Sequence, residues 1–461
     1  MKKSELFIEQ VGNFALLPVV HYSYEFAIAA QVAFQQLEPC GVGVEYPFLL
    51  QDLIVKAIGR LPKISVLLYG EKTKNYVRIE PVDPFVEVAR RAIEAGIELR
   101  CVDLVADYPQ VYDPMPDTYS LYYIGHKKYC EMLLERPSWV RLKEDIEREA
   151  AMAYHLHELE RKLSWSGRLK SGKPILVLCG LAHLRGLKEQ LLLENQKKPE
   201  ETRPSARLYN LSPTSLGEIM GSFPFLTSVY ELQRRGIADE REVSSTDNQE
   251  DAFDKLGSGT IAATKQAFKV IEGHKPDTVQ QLAVRAHKDI ASTALDGDRN
   301  EILTRYMLWC RAYYEQEIGD RLNPQQLFLL KNFARKYAHT KGMLLPDFYE
   351  TLVAGRGCIN SHFCYRMWEM GTYYEPQKSI SELETIELRA EDISPFIHKV
   401  RMNPNAPLKP RMPRFLSRKD KQRKKQEFER EIDPHSICSY QPEDLTIESY
   451  GRYLRTKGKG M

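Results

Sequence analysis

The sequence predicts an α/β protein: an N-terminal α/β domain with a mostly parallel sheet, then a mainly α-helical domain and a basic tail. Three observations predict it. Up to residue 192, short apolar runs rich in Val, Ile and Leu alternate with longer segments of helical periodicity, the pattern of parallel strands joined by crossover helices. From about residue 212 the periodicity is almost wholly helical. Residues 399–425 then gather Lys and Arg around the lone acid Asp420.

The expected strands are "FALLPVVHYS", "CGVGVEYP", "ISVLLYG", "ELRCVDLVAD" and "PILVLCGLAH". Between them, "EFAIAAQVAFQQLEP", "FLLQDLIVKAIGRL", "PFVEVARRAIEAGI" and "WVRLKEDIEREAAMAYHLHELERKLSWSG" repeat apolar residues three and four apart, as helices do. Asp83 and Pro84 stand where an N-cap and a first helical residue belong, and Gly96 where that helix stops. The polar, proline-bearing stretch at 194–207 reads as a surface connection, with "RLYNL" a further strand after it. Domains are expected at 1–211, 212–395 and 396–461, with a loop near 237–260 inside the helical part.

Composition narrows the function classes. A chain of 461 residues holds two or three domains, and a formal charge of +2 excludes a surface that tracks nucleic acid along its whole length. Eight cysteines without a CxxC pair suggest neither a zinc ribbon nor a disulfide framework, and fit a reducing cytoplasm. No stretch approaches the roughly 20 apolar residues of a membrane span. A cytoplasmic protein with no membrane partner is expected, acting on a small-molecule or peptide substrate. Four prolines interrupt residues 399–425, so that segment reads as a solvated arm or as a contact for nucleic acid or an acidic protein.

Ligands of open α/β sheets gather beyond the carboxyl ends of the strands. There the sequence places His21, Glu45, Asp103 with Asp107 just beyond, and His183. A lone histidine at a strand end is ordinarily a hydrogen-bonded structural residue. Four convergent ionisable groups each need compensation beside a core, and two histidines with one carboxylate form a ligand set for Zn, Mn or Co. On "EDIEREAAMAYHLHELE", Arg148, Met152 and His155 share adjoining parts of one helical face; Met152 reads as core, and His155, His157 and Glu158 as a solvated face.

His21 at the end of the first strand, "VEYP" with Glu45, "IEREAAMA" with Arg148 and Glu149, and "CGLAHLRGL" with Gly180 and His183 together resemble the TraB/Tiki, erythromycin esterase and ChaN superfamily, over about residues 10–192. The resemblance implies hydrolytic chemistry at a site lined by His21, Glu45, Arg148, Glu149 and His183. Tiki-type members are similar to metal-dependent peptidases, erythromycin esterases use a histidine base on water, and ChaN-type members associate with iron or haem.

Two mechanisms follow. In one, His21, Glu45 and His183 hold a divalent ion that acidifies bound water, with Glu149 as proton shuttle and Arg148 clamping an oxyanion or a substrate carboxylate. In the other, His183 or His21 takes the proton from water directly and Glu45 fixes its tautomer. The sequence also leaves room for a binding or scaffold protein that uses the helical domain and basic tail. Neither "GSGT" at 257–260 nor Cys358, His362 and Cys364 has the spacing of a P-loop or a zinc site.

Overall fold

Glycine at position 12, with φ 56, turns the chain between two paired strands, β1 (Glu9–Val11) and β2 (Phe14–Val19). The computed structural model describes residues 5–70, 75–105, 115–136, 141–193, 196–243, 278–293, 297–318 and 321–389. The basic arm at 399–425, the rest of the expected tail, the "GSGT" stretch and Asp107 lie outside the described residues.

The chain continues through α1 (Tyr24–Leu37), β3 (Gly41–Pro47), α2 (Gln51–Ile58), β4 (Ser65–Tyr69), β5 (Asn75–Ile79), α3 (Pro84–Glu94) and β6 (Glu98–Asp103). Then come α4 (Leu121–Leu134), α5 (Lys143–Trp165), β7 (Ile175–Gly180), α6 (Leu184–Leu191) and β8 (Ala206–Leu211). Five strands form one sheet in the order β1-β2-β7-β3-β6, in which β2, β7, β3 and β6 run parallel. β2 and β3 are buried at every position, as expected of strands covered on both faces. α5 packs on β6 and β3, and α3 on β3.

Strand "ISVLLYG" forms as expected but joins a second sheet. There β4 lies antiparallel between β5 and β8, and β8 pairs parallel with the short β9 (Thr385–Ile386). β5 escapes a hydropathy reading because "NYVRI" is short and mostly half-buried, with no continuous apolar run. The predicted start of α3 is realised: Asp83 caps it by accepting from the backbone N–H groups of Phe85 and Val86, with Pro84 at the first helical position.

Contacts divide the chain into two units. The first takes Met1–Gln249, Ala283–Leu303 and Gly371–Ile397, so chain well beyond residue 211 completes it. Gln377 shows how: its Nε2 donates to the carbonyls of Ile64 (3.0 Å) and Leu211 (2.6 Å), and its Oε1 accepts from the Ile64 N–H (2.7 Å). That buried amide stitches β9's neighbourhood to the second sheet. The other unit, Glu250–Leu282, Thr304–Met370 and His398–Met461, is helical where described. Its helices Pro324–Thr340 and Phe348–Cys358 are capped by Asn323 and Asp347, and Tyr306, Phe363, Cys364 and Met367 are buried in its core. Among the described residues no helix is long and apolar enough to cross a membrane.

Candidate functional site

Four parallel strands deliver their carboxyl ends to one edge. Val19 pairs with Gly180 and Pro47 with Asp103, so the residues that follow β2 and β7 lie beside those that end β3 and β6. The period of two along "GVGVEYP" then sorts side chains to opposite faces. Gly43 lies against Leu156 of α5, and Glu45 follows it to that face, where it meets Arg148. Tyr46 points the other way, to Asp83 at the head of α3.

On the α5 side, Arg148 is the centre. Its Nε and Nη2 donate to the two oxygens of Asp103 (3.1 and 2.7 Å), Nη2 also donates to Glu45 Oε1 (2.9 Å), and Nη1 lies 2.9 Å from Nε2 of His183. A guanidinium has only N–H donors, so neutral His183 accepts at Nε2 and donates from Nδ1 to Glu149 Oε1, 3.3 Å away. Glu149 is fully buried and is held in turn by Arg141, whose Nε donates to its other oxygen at 2.6 Å. The backbone N–H of Gly180 donates to Glu45 Oε2. Four of the five N–H groups of Arg148 are thereby used, and one on Nη1 has no partner among the described residues.

Glycine makes room at two points of this cluster, tightly at the first and decisively at the second. A Cβ on Gly180 would stand 3.2 Å from Glu45 Oε2, and one on Gly186 only 2.1 Å from Glu149 Oε2. The "CGLAHLRGL" sequence therefore leaves room for both carboxylates as well as supplying the imidazole.

On the α3 side, His21 Nδ1 donates to Asp83 Oδ2 (3.0 Å), which also accepts from the Tyr22 backbone N–H (3.1 Å). Asp83 is fully buried, while the His21 side chain stacks on Phe85 and is 39% exposed. With Nδ1–H committed, the lone pair of His21 sits on Nε2, which has no partner among the described residues. Tyr22 holds φ 55, a left-handed conformation that a bulky residue adopts only under constraint. Its ring lies under the Arg78 guanidinium, and its Cβ stands where a Cβ on Gly221 would otherwise lie.

Burial would lower the His21 pKa, but the Asp83 charge and hydrogen bond outweigh it and raise it above the ordinary value; Glu45 adds to the rise and Arg148 opposes it. For His183, burial again pulls down, while Glu45 and the hydrogen bond to Glu149 lift it above its ordinary value. Burial pushes the Glu45 carboxyl up, yet His183 and Arg148 hold it below the usual range. At Asp103 burial prevails over Arg148 and the pKa is raised. The two sides of the β3 end thus act on each other electrostatically.

His21, Glu45, Arg148, Glu149 and His183 all reach this edge. The implied metal ligand set, His21, Glu45 and His183, does not fit a resident ion as arranged. His21 is committed to Asp83, and the lone pairs of Glu45 and His183 that would face an ion accept from Arg148. Among the described residues no three His, Cys, Asp or Glu groups are set to hold a metal. Glu45 does not fix the tautomer of either imidazole; Asp83 and Glu149 do. Asp83 was legible only as a helix cap, because one carboxylate carries both duties: Oδ1 caps α3 and Oδ2 holds His21. Arg141 carried no sequence signal. Met152 is core, as expected, whereas His155, expected on a solvated face, is buried, stacked on Phe48 and bonded to Glu201 at 3.3 Å, because the end of β3 and the chain near Glu201 cover that part of α5.

Comparison with known proteins returns no match among family models, curated proteins or solved structures.

Proposed function

We propose that the protein is a cytoplasmic hydrolase of ester or amide bonds in a small-molecule or peptide substrate, with His21 as the base that activates water. The observation that carries this reading is the Asp83–His21 pair, with its half-exposed imidazole and a Nε2 that has no partner among the described residues, at the same sheet edge as the Arg148 guanidinium, one of whose N–H groups has no partner among them either. The resemblance of these residues to the TraB/Tiki, erythromycin esterase and ChaN superfamily supports the same chemistry. The described cysteines are all free thiols, which supports a reducing compartment.

In this scheme Nε2 of His21 takes a proton from water as its oxygen bonds to the carbonyl carbon. The free Nη1–H of Arg148 donates to the oxyanion as it forms. His21 then returns the proton to the leaving oxygen or nitrogen as its bond to carbon breaks, releasing a carboxylic acid. Asp83 keeps the imidazole in the productive tautomer and stabilises its cationic form. His183, with both ring nitrogens engaged, holds Arg148 in place, and Glu149 orients His183.

The test is a hydrolysis screen of the purified protein against ester, lactone, amide and peptide panels, repeated with His21→Ala. Turnover that falls by about 10²–10⁴-fold in the variant is the expected result. A full panel without turnover, or a variant as active as the parent, overturns the reading.

A further inference from the structure

We propose that Arg78 anchors a carboxylate on the substrate, so that the compounds hydrolysed at His21 are anionic esters or amides whose carboxylate lies a few bonds from the scissile carbonyl. The substrate class rests on the hydrolase reading above; the anion site rests on the surroundings of Arg78 alone.

Arg78 lies on β5, and the Tyr22 ring covers one face of its guanidinium, with Cζ 4.2 Å from the ring centre; the Tyr76 ring stands at 5.9 Å. Nε of Arg78 is enclosed and has no hydrogen-bond partner among the described residues. The one acid within ion-pair reach among them is Glu80, whose Oε1 stands 3.2 Å from that Nε. Glu80 is itself buried and taken up by the backbone: both its oxygens lie 3.1 Å from the Gly221 N–H. A guanidinium carries five N–H donors in a planar fork, and donors this far from water ordinarily have acceptors. Glu80 steadies the Nε edge of the fork, and the Nη edge is left for an acceptor from solution, the side chain keeping 13% of its surface exposed.

The fork is tied to the base through a single residue. Oδ2 of Asp83 accepts both from Nδ1 of His21 and from the Tyr22 N–H, so one carboxylate fixes the imidazole and the ring that carries Arg78. The left-handed backbone of Tyr22 is the local cost of that arrangement, and strain of this kind persists where function needs it. The His21 and Tyr22 ring centres are 5.5 Å apart, so one aromatic ring separates the imidazole from the guanidinium. Arg148 does not offer the same anchor, because its acceptors leave it a single N–H. A carboxylate matches the planar fork in two parallel hydrogen bonds, and as a monoanion it meets less repulsion from Glu80 and Asp83 than a phosphate dianion does.

The experiment compares monoethyl succinate with ethyl butyrate, in which a methyl group replaces the carboxylate, on the full-length protein. Wild type should favour monoethyl succinate by about 10-fold or more in kcat/KM, and Arg78→Met should erase that preference through KM. Because Arg78→Met leaves Glu80 buried without its cation, the double variant Arg78→Met with Glu80→Gln repeats the measurement in a neutral pair. Binding is read independently by NMR: butyrate should shift the His21 imidazole resonances of wild type, whereas butyramide should not, and Arg78→Met should lose the response. Butyrate binding that depends on Arg78 supports the anion site even where no ester turns over, in which case the hydrolase reading alone falls. The proposal is overturned by a preference that survives both variants, by variants that slow the two esters equally, or by a wild type that responds to neither butyrate nor the carboxylate of the ester.

Discussion

Nε2 of His183 accepts a hydrogen bond from Nη1 of Arg148 at 2.9 Å, while Nδ1 of the same ring donates to Glu149. One imidazole therefore joins a buried acid to the partly buried guanidinium that binds Glu45 and Asp103. A protonated ring has no lone pair for Arg148, and its Nε2–H would turn to Glu45, 3.6 Å away. His183→Ala should leave Arg148 short of one contact and lower turnover without altering the base. The acidic limb of the rate profile should then keep its midpoint while kcat falls, as steady-state kinetics across pH would show. A midpoint that moves with the substitution would instead identify His183 as the titrating group.

Asp83→Asn should lower the His21 pKa. Asp83 is what raises it against burial, and an amide supplies no compensating charge. Histidine titration followed by NMR reads this directly, as a fall below the wild-type value. The raised value also has a stability sign. His21 gains its proton more readily when folded, so its contribution is present below the unfolded pKa and is lost as pH rises through the folded one. In Asp83→Asn that alkaline loss should disappear.

Arg148→Ala should lower the unfolding free energy by about 3–5 kcal/mol in the absence of added cations, because it strands the Glu45 and Asp103 carboxylates in a buried setting. Urea or guanidinium-free thermal denaturation measures it; a change within error of zero would mean that water already solvates these acids.

Gly186→Ala should displace Glu149, whose Oε2 lies 2.1 Å from the new Cβ and is pinned by Arg141. The expected cost is about 1–3 kcal/mol, together with a lower His183 pKa as the Nδ1 partner withdraws. Denaturant titration and histidine NMR test both parts.

Acid should destabilise the first unit through two histidines away from the site. His126 bridges the Phe7 N–H and the Pro18 carbonyl, and burial lowers its pKa to about 4; burial lowers His287 to about 3. Unfolding frees both to take up protons near pH 6.5. Stability is therefore full above that pH and declines as pH falls towards 4, by about 3 kcal/mol for His126 alone. The slope of unfolding free energy against pH should flatten in His126→Gln.

The sequence by itself determined the elements that local chemistry encodes. Buried parallel strands show as unbroken apolar runs, and Asp83-Pro84 marks a helix start through capping alone, so β2, β3, β6, β7 and α3 were readable in one dimension. So was the arrival of His21, Glu45, Asp103 and His183 at strand ends, since strand direction follows from the crossover pattern. The tertiary structure decided the partners. Which acid serves which imidazole depends on the face each side chain takes at the end of β3 and on helices that arrive from distant chain. A carboxylate reads the same in sequence whether it caps a helix, holds a proton or neutralises an arginine. Only folding set Asp83 beside His21, placed Arg148 against Glu45 and His183, two of the three ligands expected for a metal, and paired β4 with the inconspicuous β5 in a second sheet.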